Sequence, residues 1–97
     1  MQYDFEWDLK KARTNRTRHR ISFEEATTVF RDPRMVTLFD GSHSTYEDRW
    51  ITLGLSAAGR LLVVNHTFPQ RVADRVPVRI ISSRKATARE RRQYQET

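Results

Sequence analysis

The segment from Leu61 to Phe68, LLVVNHTF, constrains the fold more than any other stretch of the chain. A strand points successive side chains to opposite faces, and here the apolar residues fall on both sets of positions. A strand of that kind needs cover above and below, which places it at the centre of a sheet. A chain of 97 residues forms one domain with one modest core, so the remaining segments must supply that cover.

The neighbouring segments read as the rest of the sheet. Arg49 to Ser56 alternates, with Ile51, Leu53 and Leu55 on one face, and Ala57-Ala58-Gly59 closes a hairpin into the central strand. Met35 to Phe39 is apolar and β-branched, and Asp40-Gly41-Ser42 follows as a turn. Pro69 to Asp74 reads as a connector and Val76 to Ser82 as the last strand. At the start, Tyr3, Phe5 and Trp7 alternate with Asp4, Glu6 and Asp8, the period of a short half-buried strand. Its aromatic stripe suits a core or a protein interface better than a platform for bases.

Three helices complete the pattern. Asp8 is placed to cap a helix from about Leu9 to His19, which carries Lys10, Lys11, Arg13, Arg16 and Arg18 and no acid. Only Leu9 and Ala12 are available for burial, so this helix is expected to be thinly anchored. Ser22-Phe23-Glu24-Glu25 has the form of a capping box, and Phe23, Ala26, Val29 and Phe30 then share a helical face that Asp32-Pro33 ends. Thr87-Ala88-Arg89-Glu90 is a second such box and opens a terminal helix. The order is β-α-α-β-β-β-β-α. The expected α+β domain has an antiparallel sheet of four main strands, with the short N-terminal strand available as a fifth. The two N-terminal helices cover one face, and the C-terminal helix packs at an edge or end.

The formal charge of +6 is uneven: residues 79–97 hold six Lys/Arg against two Asp/Glu, whereas residues 1–33 and 34–78 each carry a net +1. A local excess of that sign points to a polyanion, and Arg in particular grips two phosphate oxygens at once without losing its charge. A solvated helix face would look the same. The absence of cysteine excludes disulfides, thiol catalysis and cysteine-based zinc sites. Three dispersed histidines make a poor metal site, so neither metal nor cofactor is expected. No apolar run approaches a membrane span and the N-terminus lacks the order of a signal peptide, so a cytoplasmic protein without membrane contact is expected.

The pieces FEWD (5–8), HRISFEEA (19–26), VFRDP (29–33), EDR (47–49), LGLS (53–56) and RIISSRKAT (79–87), followed by Glu90 and Tyr94, stand in a recognisable order. Over nearly its whole length the chain resembles the BrnT family, toxins of type II toxin–antitoxin pairs with a RelE-like ribonuclease fold. The resemblance implies a metal-independent endoribonuclease that arrests translation. It also implies a BrnA-like antitoxin with a ribbon-helix-helix part, so that DNA would be met only indirectly, through the antitoxin. Two residues depart from the family pattern: Arg20 stands where glycine is usual, and Ser83 where alanine is usual. The first bears on the link between the N-terminal helices; the second sets a hydroxyl beside the basic cluster.

Cutting RNA without a metal requires a base for the 2′-hydroxyl, cations for the charge growing on phosphorus, and an acid for the leaving 5′-oxygen. Arg79 and Arg84 are the candidates for phosphate stabilisation; Arg79 sits between Val78 and Ile80 and points to the opposite face. An ion pair of Arg79 with Glu47 or Asp48 is the structural alternative. Lys85, beside Arg84 at the expected strand-to-helix junction, could serve as a base if neighbouring cations depressed its pKa. Glu47 and Arg49, two residues apart, form either part of the site or a salt bridge anchoring the sheet. His66 is either a proton donor or a hydrogen-bonded core residue. Arg89, Arg92 and Tyr94 are the candidates for holding RNA, with packing against the sheet as the other use of Tyr94. A basic module without catalysis, serving as co-repressor of a DNA-binding protein, is the alternative function.

Overall fold

The computed structural model describes residues 2–69 and 74–97; the expected connector from Pro69 to Asp74 therefore falls largely outside the described residues. The strands are β1 (Gln2–Glu6), β2 (Val36–Phe39), β3 (Arg49–Leu55), β4 (Leu61–Thr67) and β5 (Arg75–Lys85). The helices are α1 (Leu9–His19), α2 (Phe23–Thr28) and α3 (Ala88–Gln95), with 3-10 turns at Val29–Arg31 and Gly41–His43. The sheet runs β1-β5-β4-β3-β2, so the doubly apolar strand β4 is central, as its pattern requires.

The four main strands pair antiparallel as expected, and the short N-terminal strand joins as a fifth, parallel to β5. A parallel pair needs a long crossover, and here every other strand of the sheet lies between the two in sequence. The tight hairpin turn between β3 and β4 keeps that pair antiparallel, with Gly59 at φ +81° supplying the left-handed residue.

Side chains of β4 divide between two layers. On one face Leu62 and Val64, with Val78 and Ile80 of β5, meet Ile21, Phe23, Ala26, Val29 and Phe30. Tyr3 and Phe5 close this core edge-on against Phe30, with centroids 5.3 and 5.2 Å away. On the other face Leu53, Leu61 and Val63 are covered by Ala86 and by Tyr94 of α3. That helix is short and covers only one end, which leaves the other end of the second face open.

Several local expectations change in the tertiary context. Strand β5 continues three residues beyond Ser82, because Arg84 and Lys85 stay in register with Val63 and Leu62. A bulge at Ile81, between Ile80 opposite His66 and Ser82 opposite Asn65, breaks the alternation midway. Asp8 occupies the N-cap position of α1 but makes no side-chain cap bond. Ser22 Oγ does accept from the Glu25 N–H at 3.0 Å, yet the Glu25 carboxylate does not return to Ser22. It accepts instead from Ser56 Oγ at 2.7 Å and from the Arg60 guanidinium. The box at Thr87 and Glu90 is complete.

Helix α1 is not anchored as its apolar residues suggested. Ala12 does pack against the core, but Leu9 is 68% exposed, and the fully buried residue of the helix is Asn15. Its amide donates to the carbonyls of Ile21 and Ser83 at 3.0 and 2.9 Å and accepts from the Ser83 N–H at 3.0 Å. The two departures from the family pattern now have places. Arg20 ends α1 in the left-handed region at φ 57°, where glycine is least strained. Ser83 is not beside the basic cluster: it is fully buried under α1, its hydroxyl without a partner.

Candidate active site on the open face of the sheet

The open end of the second face is built by register. Cross-strand partners share a face, and Arg49, Thr67 and Arg79 are aligned across β3, β4 and β5, with Glu6 of β1 opposite Arg79. Strands are spaced about 4.8 Å apart, so the Arg49 and Arg79 backbones stand roughly 10 Å from each other. Thr67 between them is buried, and its hydroxyl has no hydrogen-bond partner among the described residues.

Glu47, at the end of the β2–β3 loop, reaches both cations. Its carboxylate lies 3.9 Å from Arg49 Nη2 and 3.8 Å from Arg79 Nη1, while Glu6 lies 3.7 Å from Arg79 Nε. These pairs are long, and both Arg79 and Glu47 are more than two-fifths exposed. Contacts of that kind are worth little and are readily exchanged for another anion. Glu47 and Arg49 also line a cavity of about 440 Å³ together with Ser42, His43, Thr45 and Tyr46.

The same loop contributes groups that the sequence reading passed over. His43 Nδ1 is 2.8 Å from Asp40 Oδ2, and the side chain is 71% exposed. Ser42 Oγ donates to the other Asp40 oxygen at 2.9 Å. Burial works to raise the Asp40 carboxyl, but the bonds from Ser42 and His43 leave it below the usual carboxylate range. The ring is thus held by one nitrogen, and among the described residues Nε2 has no partner. Tyr46 is 99% exposed, a large aromatic surface at the lip of the cavity. The signal in the sequence was an Asp three residues ahead of a His across a turn, followed by an aromatic with no strand to join.

The other sequence candidates lie elsewhere. Arg84 faces the same side as Arg79 but four β4 residues away, roughly 13 Å along the strand. It is engaged by Glu90 in two bonds of 2.8 and 3.0 Å. That Arg84 bond holds the Glu90 carboxyl at about 2, and the same carboxylate accepts from the Thr87 N–H at 2.8 Å. Arg84 therefore fastens β5 to α3 and does not converge with Arg79 on one point. Lys85 stands at the strand-to-helix junction as expected, the last residue of β5 before Ala86, Thr87 and α3, but it is exposed and far from Arg79 along the strand. Arg89 and Arg92 are exposed on α3. The Tyr94 hydroxyl donates to Asp32 at 2.6 Å and its ring packs on Leu53, Leu61 and Val63, so it serves packing and not stacking.

His66 is the clearest departure. It is fully buried on the helix-covered face, edge-on to Phe30, with Nε2 2.7 Å from Thr52 Oγ1. Burial pushes its imidazole down to about 4. Its neighbour Thr67 points to the open face, so His66 points away from it. Among the described residues no three His, Cys, Asp or Glu side chains are grouped as a metal ion would need.

A family model described as the ribonuclease toxin BrnT of type II toxin–antitoxin systems matches residues 7–90 of the chain. Among solved structures, the Brucella abortus ribonuclease toxin BrnT superposes with a TM-score of 0.60 at 19% identity, covering 90% of this chain and 99% of that one. That likeness shows a shared fold. A search of curated proteins finds no match.

Proposed function

This chain belongs to the family of BrnT ribonuclease toxins of type II toxin–antitoxin systems, and on that premise we infer that it cuts RNA at the row Arg49–Thr67–Arg79, without a metal ion, and so arrests translation. The observation that carries this reading is the position of Glu47, a loosely held carboxylate within 4 Å of two guanidinium groups on an open face. A phosphodiester presents the same charge to the same pair, with more oxygens to bond.

In this reading Arg49 and Arg79 bind the scissile phosphate and stabilise the charge that grows on it. Glu47, turned aside by the phosphate, accepts the proton of the 2′-hydroxyl. The 2′-oxygen bonds to phosphorus, the bond to the 5′-oxygen breaks, and that oxygen takes a proton from the His43 imidazolium. Asp40 keeps the ring aimed. Tyr46 offers a face on which a base next to the cut can stack.

As a toxin of a type II pair the chain has an antitoxin partner and an RNA substrate. The finer reading is a BrnA-like ribbon-helix-helix antitoxin that lays carboxylates over the Arg49–Arg79 row, through which the pair reaches DNA. No helix among the described residues is long and apolar enough to cross a membrane. A cytoplasmic location is the one that accords with action on cellular RNA.

The test is cleavage of end-labelled RNA by the purified chain, freed of its partner, in EDTA. We expect fragments with 2′,3′-cyclic phosphate and 5′-hydroxyl ends, lost in Arg79→Ala and Arg49→Ala while the circular dichroism spectrum is kept. Cleavage that needs a divalent ion, or that survives both substitutions, overturns the assignment of this row. If the intact chain cuts no RNA, it acts as a basic binding module.

A further inference from the structure

We propose that the groove between α1 and the uncovered half of β5 is a second RNA-binding site, which holds phosphates of the strand flanking the cut; this rests on the open-face row as the cleavage site. Strand β1 covers the edge of β5 only as far as Arg79. Beyond that point α1 lies along the same edge, held there by Asn15 on Ser83. Between helix and strand runs a groove of about 390 Å³, its walls including Asp8, Lys10, Lys11, Arg18, Ile81 and Ser82. Ser82 Oγ accepts from Asn65 Nδ2 at 3.0 Å, and Asn65 stands one row from Thr67 on the open face. The groove therefore begins next to Arg79 and leads round the sheet edge.

Three cations, Lys10, Lys11 and Arg18, line it against one carboxylate, Asp8. Five Lys and Arg lie within the eleven residues of α1, with no acid, and all five are exposed. Among the described residues none of them makes an ion pair, whereas Arg49, Arg60, Arg75, Arg79 and Arg84 all do. Lys10 with Arg13, and Arg13 with Arg16, sit three apart on one helix face, and such like-charge pairs weaken a helix. A helix that needed only solubility would mix signs. Lys11 and Arg18 are two turns apart, about 10 Å along the groove wall, a spacing that bridges two steps of an extended phosphate backbone.

The test compares the intact chain with Lys11→Gln/Arg18→Gln, both exposed positions whose loss leaves the fold intact by circular dichroism. Binding of a 20-nucleotide single strand blocked at the 2′-oxygens, and of a four-nucleotide strand, is measured across a salt series. We expect the long strand to bind on the order of tenfold more weakly at low salt, with the slope of log K against log salt flattened by about 1.4, and the short strand to be unaffected. Unchanged binding of the long strand overturns the proposal. So does weaker binding of the antitoxin with RNA binding intact, which would make the groove a protein interface. Because the strands are blocked, the result stands even if the row at Arg79 is not where RNA is cut: loss of cleavage tests that row, and loss of long-strand affinity tests the groove.

Discussion

The side-chain amide of Asn15 pairs with both backbone groups of Ser83, accepting from its N–H at 3.0 Å and donating to its carbonyl at 2.9 Å. One side chain thus does what a neighbouring strand would do for the edge of β5, and it fixes the helix that carries the basic groove. Asn15→Leu leaves a buried N–H and two carbonyls without that partner. We expect a loss of about 2–4 kcal/mol, read as a lower urea midpoint. Asn15→Asp should be no better, since it keeps the acceptor but loses the donor and buries a charge. A midpoint unchanged in both variants would contradict the role.

Arg20 pays for its left-handed backbone. Arg20→Gly removes the strain of a Cβ at φ 57°, against a looser unfolded chain. The net expectation is a gain of about 0.5–1 kcal/mol in thermal or urea unfolding. A loss of stability would show that the arginine side chain matters more than its backbone.

Arg79 and Arg84 face the same side of one strand and should behave in opposite ways. Arg79→Ala and Arg49→Ala are expected to slow RNA cleavage by about 10²–10³-fold, the cost of one preorganised donor. Their exposed, long ion pairs predict stability changes within about 0.5 kcal/mol. Equal activity in the Arg79 and Arg84 variants would undo the distinction.

Arg84→Ala should instead cost about 1–2 kcal/mol of stability, discounted for its partial exposure, and leave the chemistry nearly intact. It removes the fastening to Glu90. The Glu90 carboxyl, now held at about 2 against an unfolded value near 4.5, would rise. Because the folded value is the lower one, its stabilisation is complete above the unfolded value and is lost as pH falls from 4.5 toward 2. The acid limb of the pH–stability curve should therefore be shallower in the variant, and its deficit should shrink as pH falls toward 2.

His66 acts over a different window. Its folded value is about 4 against 6.5 unfolded, so the neutral ring favours the fold. Stability is full above pH 6.5 and falls as pH drops toward 4, by about 3 kcal/mol. His66→Gln keeps a polar group for Thr52 and cannot charge. A flatter urea-midpoint profile between pH 7 and 4.5 is expected in that variant. The same slope in both proteins would mean that the buried imidazole is not what titrates.

Much of the fold was legible in the sequence because it depends on period and local chemistry. The doubly apolar run of β4 required a central strand, the Thr87–Glu90 box opens α3 as read, and α1 spans Leu9–His19 as read. The candidate site was legible in part: Arg79, Glu47 and Arg49 were singled out, and the structure brings them together. Arg84 and Lys85 were grouped with them by type and by nearness along the chain, and His66 by type alone; neither type nor nearness along the chain is nearness in space. The bulge at Ile81 and the alternation of β4 decide which face each one meets.

Periodicity, capping residues and the sign of the charge are properties of short segments, so the amino-acid order alone settled the element types, the central strand and the basic character of α1 and the tail. Which carboxylate neutralises which arginine is a property of strand register and of where α3 stops. Glu90 takes Arg84, Glu47 stands loosely between Arg49 and Arg79, and Asn15 closes the β5 edge only because residues 2 to 68 positions apart are packed together. Electrostatic pairing acts over a few ångströms, and only the folded chain says which groups come that close.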